Sequence, residues 1–173
     1  MSEAHAFDRA TAVSHSALGD PSAPREVNVD AGWTIGGRPN GGYLLATMAR
    51  AAGAALASAE GPDHPHPIAA TAHYVASPDP GPAQVHTEVL RRGRRMSQVR
   101  ARLVRGGSPQ VEATLTLGRH DGAAAQWWTD LDAPALPPME DCVRLGGVGP
   151  GGVVLPIMDH VDIRLDPATA GFR

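Results

Sequence analysis

One change of hydrophobic period constrains the fold of this chain more than any other feature. Over residues 41–59, apolar side chains recur every three to four positions, which is the spacing of an amphipathic helix. From residue 68 onwards, apolar and polar residues alternate, which is typical of strands with one buried face. One long helix and such strands can bury both apolar surfaces only by packing together. The sequence therefore predicts an α+β fold with an antiparallel sheet wrapped around a central helix.

Breaks rich in glycine and proline divide the alternating region into strands. Reversals are expected around Gly93 and at residues 106–108. They separate predicted strands at 68–76, 84–89, 98–103 and 111–117, and a short strand at 27–31 precedes the helix.

The chain divides into four predicted segments. Residues 1–24 form a weakly ordered lead-in, and residues 25–120 form the folded domain. Residues 121–151 form a connector, in which Trp127 and Trp128 are expected to pack rather than to bind a ligand. Residues 152–173 contain an alternating stretch from His160, which either joins the first sheet or opens a second domain.

Composition excludes several classes of protein. An apolar fraction of 42% is that of a globular chain, and a net charge of -3 argues against bulk nucleic-acid binding. The single cysteine allows no intrachain disulfide, and no apolar run is long enough to cross a membrane. We therefore predict a cytoplasmic protein without a nucleic-acid or membrane partner.

Three sequence motifs occur in the order found in a known family. W-T-I-G-G-R-P-N-G-G-Y-L-L-A at 33–46 resembles the strand-to-helix entry of the hotdog superfamily. H-Y-V-A-S-P-D-P-G-P at 73–82 and L-R-R-G-R-R-M-S-Q-V-R at 90–100 resemble a loop element and a hairpin of thioesterase II-like proteins. Residues 27–120 are thus similar to the N-terminal hotdog unit of the double-hotdog acyl-CoA thioesterases.

The resemblance implies two hotdog units that bind acyl-CoA between them and hydrolyse fatty acyl-CoA thioesters. Coenzyme A then enters as part of the substrate, and no separate cofactor is expected. Residues 152–173 resemble the opening strand of a second, incomplete hotdog unit. Self-association through sheet or helix packing is also expected.

The start of the predicted helix is the candidate catalytic region. Asn40 occupies an N-cap position. The N–H groups of Gly41, Gly42 and Tyr43 lie in the first turn, where backbone N–H groups have no acceptor within the helix. Such groups can stabilise the oxyanion that forms when a thioester is attacked. The alternative from the residues alone is a tight, capped turn without catalytic function.

The predicted helix contains no residue that can activate water. Residues 43–59 contain no carboxylate, and Thr47 is the only polar side chain besides Arg50 in the corresponding turns. The resemblance implies that the acid comes from the second unit, with Asn40 in the assisting position. The alternative function is a non-catalytic acyl-CoA-binding or assembly module. A dehydratase is disfavoured because Pro39-Asn40 does not provide its His/Asp pair.

Further candidate residues concern the substrate. Seven arginines lie between His86 and Arg105 against the single acid Glu88, and arginine pairs well with phosphate. The alternative is a solvated hairpin. The histidines 64, 66 and 73 lack the spacing and the acidic or cysteine partners of a metal site, so none is predicted. The predicted substrate-binding residues are Tyr43, His73, Arg91, Arg94 and Ser97.

Overall fold

A five-stranded antiparallel sheet packed on one long helix forms the centre of the computed structural model, which describes residues 5–14, 23–57, 61–120, 122 and 130–170. The helices are α1 (Ala6–Ala10) and α2 (Gly41–Ala57). The strands are β1 (Arg25–Val29), β2 (Thr34–Ile35), β3 (Arg38–Pro39), β4 (His66–Tyr74), β5 (Gly81–Arg92), β6 (Met96–Arg105), β7 (Ser108–Gly118), β8 (Val143–Arg144) and β9 (Arg164–Leu165). Within the described ranges, no helix combines the length and apolar character needed to cross a bilayer.

The main sheet has the order β1-β5-β6-β7-β4. The strand after the helix, β4, therefore lies at one edge, and the strand before the helix, β1, lies at the other. Both β4 and β1 pair antiparallel with their neighbours, as β5, β6 and β7 do with each other. The predicted strand at 68–76 is shifted by two residues, to His66–Tyr74.

The apolar stripe of α2 packs against the inner face of this sheet, as the hydrophobic period predicts. Met48, Ala51 and Ala52 are fully buried, and so are Val85, Val99, Leu115 and Leu117 of the strands. Each large apolar side chain removed from water contributes about 1.5–3 kcal/mol. The α+β arrangement of one helix on an antiparallel sheet is confirmed.

Glycines shape the two predicted hairpins. A Cβ on Gly93 would lie 2.7 Å from the carbonyl oxygen of Met96, so only glycine fits this turn. Gly106 and Gly107 both have positive φ angles, at 57° and 77°, which glycine adopts without the strain that a side chain would cause. The reversals at residues 91–95 and 106–108 are therefore confirmed.

The segment after the sheet folds back onto the first domain. Ile157 and Met158, in the 3-10 helix Pro156–Asp159, are buried in the core, and the His160 ring stacks on Trp33 at 4.7 Å. The alternation from residue 160 predicted a strand, but only Arg164–Leu165 pairs, with Val143–Arg144.

Two further predictions concern the segments around the domain. The described part of the lead-in contains α1, whose Phe7 ring lies 5.1 Å from that of Trp33. Trp127 and Trp128 lie outside the described residues. That residues 152–173 open a second hotdog unit stays a prediction.

Candidate active site

The first turn of α2 is capped by the side chain of Asn40. The Tyr43 N–H donates to Asn40 Oδ1 at 3.1 Å, and the Leu44 N–H donates to the Asn40 carbonyl oxygen at 3.1 Å. Asn40 is therefore the N-cap, as predicted. The expectation of three available donors is wrong for Tyr43, because the cap already accepts its N–H.

Two amide groups remain at this helix end. Within the described part of the chain, the N–H groups of Gly41 and Gly42 have no hydrogen-bond acceptor. Gly42 is exposed and Gly41 is half-buried, so the amides lie at the surface rather than in the core. The positive end of the helix dipole adds to their attraction for a developing negative charge.

Tyr74, for which no role was predicted, forms a wall beside these amides. Its hydroxyl donates to the Gly41 carbonyl oxygen at 2.7 Å. A Cβ on Gly41 would lie 3.1 Å from the ring, so glycine allows the close approach. The alternation of β4 could have indicated Tyr74, because it places Ala72 and Tyr74 on the face that packs towards the helix.

The Tyr43 side chain points into the core and not towards the exposed helix end. It is 3% exposed, and its hydroxyl accepts the Asp30 N–H at 2.9 Å and donates to the Ala10 carbonyl oxygen at 3.0 Å. Burial raises the pKa of this phenol. Tyr43 was predicted to bind substrate, but the helical period turns its side chain towards the sheet, and the structure gives it a packing role.

The polar side chains near the helix start already have partners. Asp30 Oδ1 accepts the Gly32 N–H at 2.7 Å, and Asp79 pairs with Arg38 at 3.6 Å and with Arg105 at 3.3 Å. The Thr47 hydroxyl is buried and donates to the Tyr43 carbonyl oxygen at 3.1 Å. This helix end therefore supplies amide donors, but it has no carboxylate of its own to activate water.

Ser97 and Arg94, two predicted substrate-binding residues, lie near the opposite end of α2. Ser97 is fully buried, and its hydroxyl lies 2.9 Å from His64 Nδ1. His64 Nε2 lies 3.4 Å from the Arg94 carbonyl oxygen, which can only accept. This network places the proton on Nε2, so the Ser97 hydroxyl donates to Nδ1. Ser97 thereby connects β6 to the loop after α2, and its contact with substrate stays a prediction.

The structure assigns the hairpin arginines to different surroundings. Arg92 donates to the carbonyl oxygens of Leu56, at 2.7 Å, and Pro62, at 3.1 Å, and so caps the C-terminal end of α2. Arg91 is in register with Gln98 on the outer face of the sheet. Arg94 lines a cavity of about 500 Å³ together with Pro62, Asp63, His64, Arg95 and Arg119.

His73 lies on the outer face of the sheet. It is in register with Glu112 and is exposed, whereas its neighbours Ala72 and Tyr74 face the helix side. A wall of an acyl tunnel on the helix side would not include this side chain. Within the described ranges, no three histidine, cysteine or acidic side chains converge as a metal site.

The predicted site residues thus form two groups and not one. Asn40, Gly41 and Gly42 lie at the N-terminal end of α2, and Arg94 and Ser97 lie near its C-terminal end. A helix of 17 residues is about 25 Å long. Between the two ends, a largely apolar groove of about 620 Å³ runs along the outer face of α2. Its apolar lining includes Ala46, Ala49, Gly53, Ala54, Ala57, Pro65 and Pro67, and its charged lining residues are Asp8, Arg50 and Asp63.

Comparison with known proteins identifies the family of this domain. Residues 29–118 match the model of the acyl-CoA thioesterase N-terminal domain. An uncharacterized protein of Mycobacterium tuberculosis is 36% identical over 103 residues, which are 57% of this chain and 35% of that protein. An uncharacterized protein of Mycobacterium bovis matches with the same values.

Solved structures show the same fold. A candidate thioesterase II from Thermobifida fusca has a TM-score of 0.76 and 29% identity, covering 97% of this chain and 57% of that one. A hot dog protein of unknown function from Alicyclobacillus acidocaldarius has a TM-score of 0.71 and 27% identity, covering 94% and 55%. The hotdog fold is confirmed, and the chain spans little more than half of these structures and about a third of the curated relatives.

Proposed function

Because this chain belongs to the acyl-CoA thioesterase N-terminal domain family, we propose that it binds fatty acyl-CoA thioesters and takes part in their hydrolysis. The observation that carries the proposal is the exposed start of α2, where Asn40 caps the helix and the amides of Gly41 and Gly42 have no acceptor. The coenzyme A moiety belongs to the substrate, and the reaction needs no further cofactor. We place this reaction in the cytoplasm.

In this proposal, the helix start stabilises the negative charge that develops on the thioester oxygen. Attack on the carbonyl carbon moves charge onto that oxygen, and the two amides donate to it more strongly as the charge grows. Asn40 holds the first turn in place by accepting the Tyr43 N–H, and Tyr74 forms one wall of the site.

In the proposed mechanism, the group that activates water does not come from the copy whose helix start binds the thioester. The helix has no carboxylate, and Asp30 and Asp79 near its start are engaged in a turn and in ion pairs. A second hotdog unit would supply the acid and complete the site. The greater length of the similar structures supports this arrangement, since the chain covers only 57% and 55% of them.

We further propose that the chain associates with another hotdog unit, here a second copy, through β4. This strand lies at the edge of the main sheet, where one row of backbone N–H and C=O groups is left unpaired by the described strands. Its side chains are also open on the helix side, where Tyr74 is 51% exposed and Ala70 is exposed as well. Pairing there would cover both the strand and the adjoining groove on α2.

Thiol release from a panel of acyl-CoA substrates tests the enzymatic proposal. Gly41→Pro removes one amide donor, and proline suits the first position of a helix. Gly41→Ala keeps the donor, and its Cβ makes the same close contact with Tyr74 that the proline Cβ would make. We expect the proline variant to be about 10²–10³ times slower than the alanine variant. Equal rates would exclude this amide from catalysis, and no turnover of any acyl-CoA by the wild-type assembly would rule out the hydrolase.

A non-catalytic acyl-CoA-binding or assembly module is the second candidate, and the carboxylate-free helix favours it. Calorimetry with a non-hydrolysable acyl-CoA analogue separates the two functions. Binding without turnover in the thiol-release assay would establish the module, whereas binding with turnover would establish the enzyme.

A further inference from the structure

The arginines of the β5–β6 hairpin differ in whether a carboxylate neutralises them. Arg100 pairs with Glu88 at 3.2 Å, and Arg102 pairs with Glu112 on the outer face of the sheet. Arg105 pairs with Asp79 at 3.3 Å. Within the described part of the chain, Arg94 and Arg95 have no carboxylate partner.

These two unneutralised arginines line the same cavity near the C-terminal end of α2. Arg119 lines it from the end of β7, and its guanidinium is held by Asp63 at 3.0 Å. Three arginines face one carboxylate there, so positive charge exceeds negative charge in a concave space of about 500 Å³. Concave surfaces with one sign of charge concentrate ligands of the opposite sign.

A buried hydrogen-bond pair fixes the shape of this cavity. His64 is 3% exposed, and it connects the loop after α2 to the hairpin through Ser97 and through the Arg94 carbonyl oxygen. Both ring nitrogens are engaged in this way, so His64 acts as a scaffold rather than as a ligand. The backbone that carries Arg94 is thereby held against the loop that carries Asp63.

Asp63 also connects the cavity to a second space. The same residue lines the apolar groove along the outer face of α2. A ligand with a highly charged end and a long, weakly polar arm would fit the two spaces together, because its arm could follow α2 from the cavity towards the helix start.

We propose that the cavity of Arg94, Arg95 and Arg119 binds the phosphate groups of the coenzyme A moiety, and that Asp63 competes with those groups for Arg119. The proposal rests on the proposed function for the identity of the ligand. Guanidinium groups bind phosphate oxygens through paired, charge-assisted hydrogen bonds, and an incoming phosphate would displace the single Asp63 contact.

Calorimetric titrations of the whole chain test this site with three probes, which are coenzyme A, adenosine 3′,5′-bisphosphate and pantetheine. We expect the two phosphorylated probes to bind and pantetheine, which has no phosphate, to bind far more weakly. The double variant Arg94→Gln/Arg95→Gln should weaken both phosphorylated probes at least about tenfold. The control Arg100→Gln, which removes one positive charge from the outer face, should change them less than about twofold.

Asp63→Asn gives the sharper result, because it should strengthen binding. Removal of the competing carboxylate frees Arg119, and we expect phosphorylated probes to bind about two to ten times more tightly. Weaker or unchanged binding in this variant would overturn the competition, and equal losses in the Arg100 and Arg94/Arg95 variants would overturn the site.

The outcome for this site is distinguishable from that for the proposed function. Adenosine 3′,5′-bisphosphate reports on the cavity without a thioester, whereas hydrolysis of an acyl-pantetheine reports on the helix start without a phosphate. Nucleotide binding with no hydrolysis of any thioester would keep the site and reject the enzyme. Hydrolysis with no nucleotide binding would reject the site.

Discussion

At the scale of single residues, the Tyr43 hydroxyl joins three parts of the domain. It accepts the Asp30 N–H beyond β1, donates to the Ala10 carbonyl oxygen of α1, and belongs to α2 itself. We predict that Tyr43→Phe lowers the free energy of unfolding by about 1–3 kcal/mol, because the Asp30 N–H loses its acceptor. Urea unfolding measures the loss of stability, and Tyr74→Phe is the control because its hydroxyl is half-exposed. Equal losses in the two variants would contradict the prediction.

The same side chain predicts a dependence of stability on alkaline pH. Burial raises the Tyr43 pKa above that of the unfolded chain, about 10, so folding favours the protonated phenol. This contribution is complete below about pH 10 and is lost as the pH rises through the folded-state pKa. Burial also raises the pKa of Tyr74. The pH dependence of stability is therefore compared between Tyr74→Phe and the double variant Tyr43→Phe/Tyr74→Phe. The stability of the double variant should fall less steeply above about pH 10, and equal slopes would exclude the Tyr43 contribution.

At the scale of elements, Arg92 determines how α2 ends. The guanidinium donates to the Leu56 carbonyl oxygen, which is one of the last carbonyl groups of the helix, and to Pro62 in the following loop. We predict that Arg92→Met lowers the free energy of unfolding by about 1–3 kcal/mol, since the methionine keeps the apolar stem but loses both hydrogen bonds. Arg91→Met, one position away on the outer face, is the matched control. Thermal unfolding measures the stability of both variants. If Arg92→Met loses less stability than Arg91→Met, Arg92 does not cap the helix as described.

The elements themselves could be predicted from the sequence because each has a regular period. The spacing of Leu44, Met48 and Ala52 indicated α2, and the alternation around Val99 and Val111 indicated two strands. Such periods report which face of an element is buried. They do not report what each polar side chain on the other face will meet.

Side-chain partners were therefore predicted less well than elements. The buried position of Ser97 depends on His64, which lies 33 residues earlier and meets it only through the tertiary fold. The different surroundings of Arg91 and Arg92 follow from the register shift between Val89 and Arg91, which reverses the alternation at the end of β5. Asn40 was identified as the N-cap because a cap is a local feature, whereas Tyr74 was missed because its contact with Gly41 joins an edge strand to a helix.

At the scale of the whole molecule, the two candidate regions lie at opposite ends of α2, and the groove along this helix connects them. The amides of Gly41 and Gly42 lie at one end, the arginine cavity lies near the other, and the groove with Asp63 runs between them. The helix start has donors but no acid, so the proposed reaction needs a second unit. The exposed edge strand β4 lies beside the helix start, where Tyr74 touches Gly41, and a unit paired there would be placed next to the amides.

This geometry predicts that association and activity are lost together. Ala70 is exposed on the helix side of β4, so Ala70→Glu would place a charge in the proposed contact without entering the core. We expect light scattering to show a smaller assembly than the wild type, and thiol release from acyl-CoA to fall to background. Thr114→Glu on the outer face of β7 is the control, because Arg100 lies opposite it in the register and can pair with the new charge. If Ala70→Glu keeps the wild-type mass, β4 is not the contact, because a charge buried there without a partner would cost several kcal/mol.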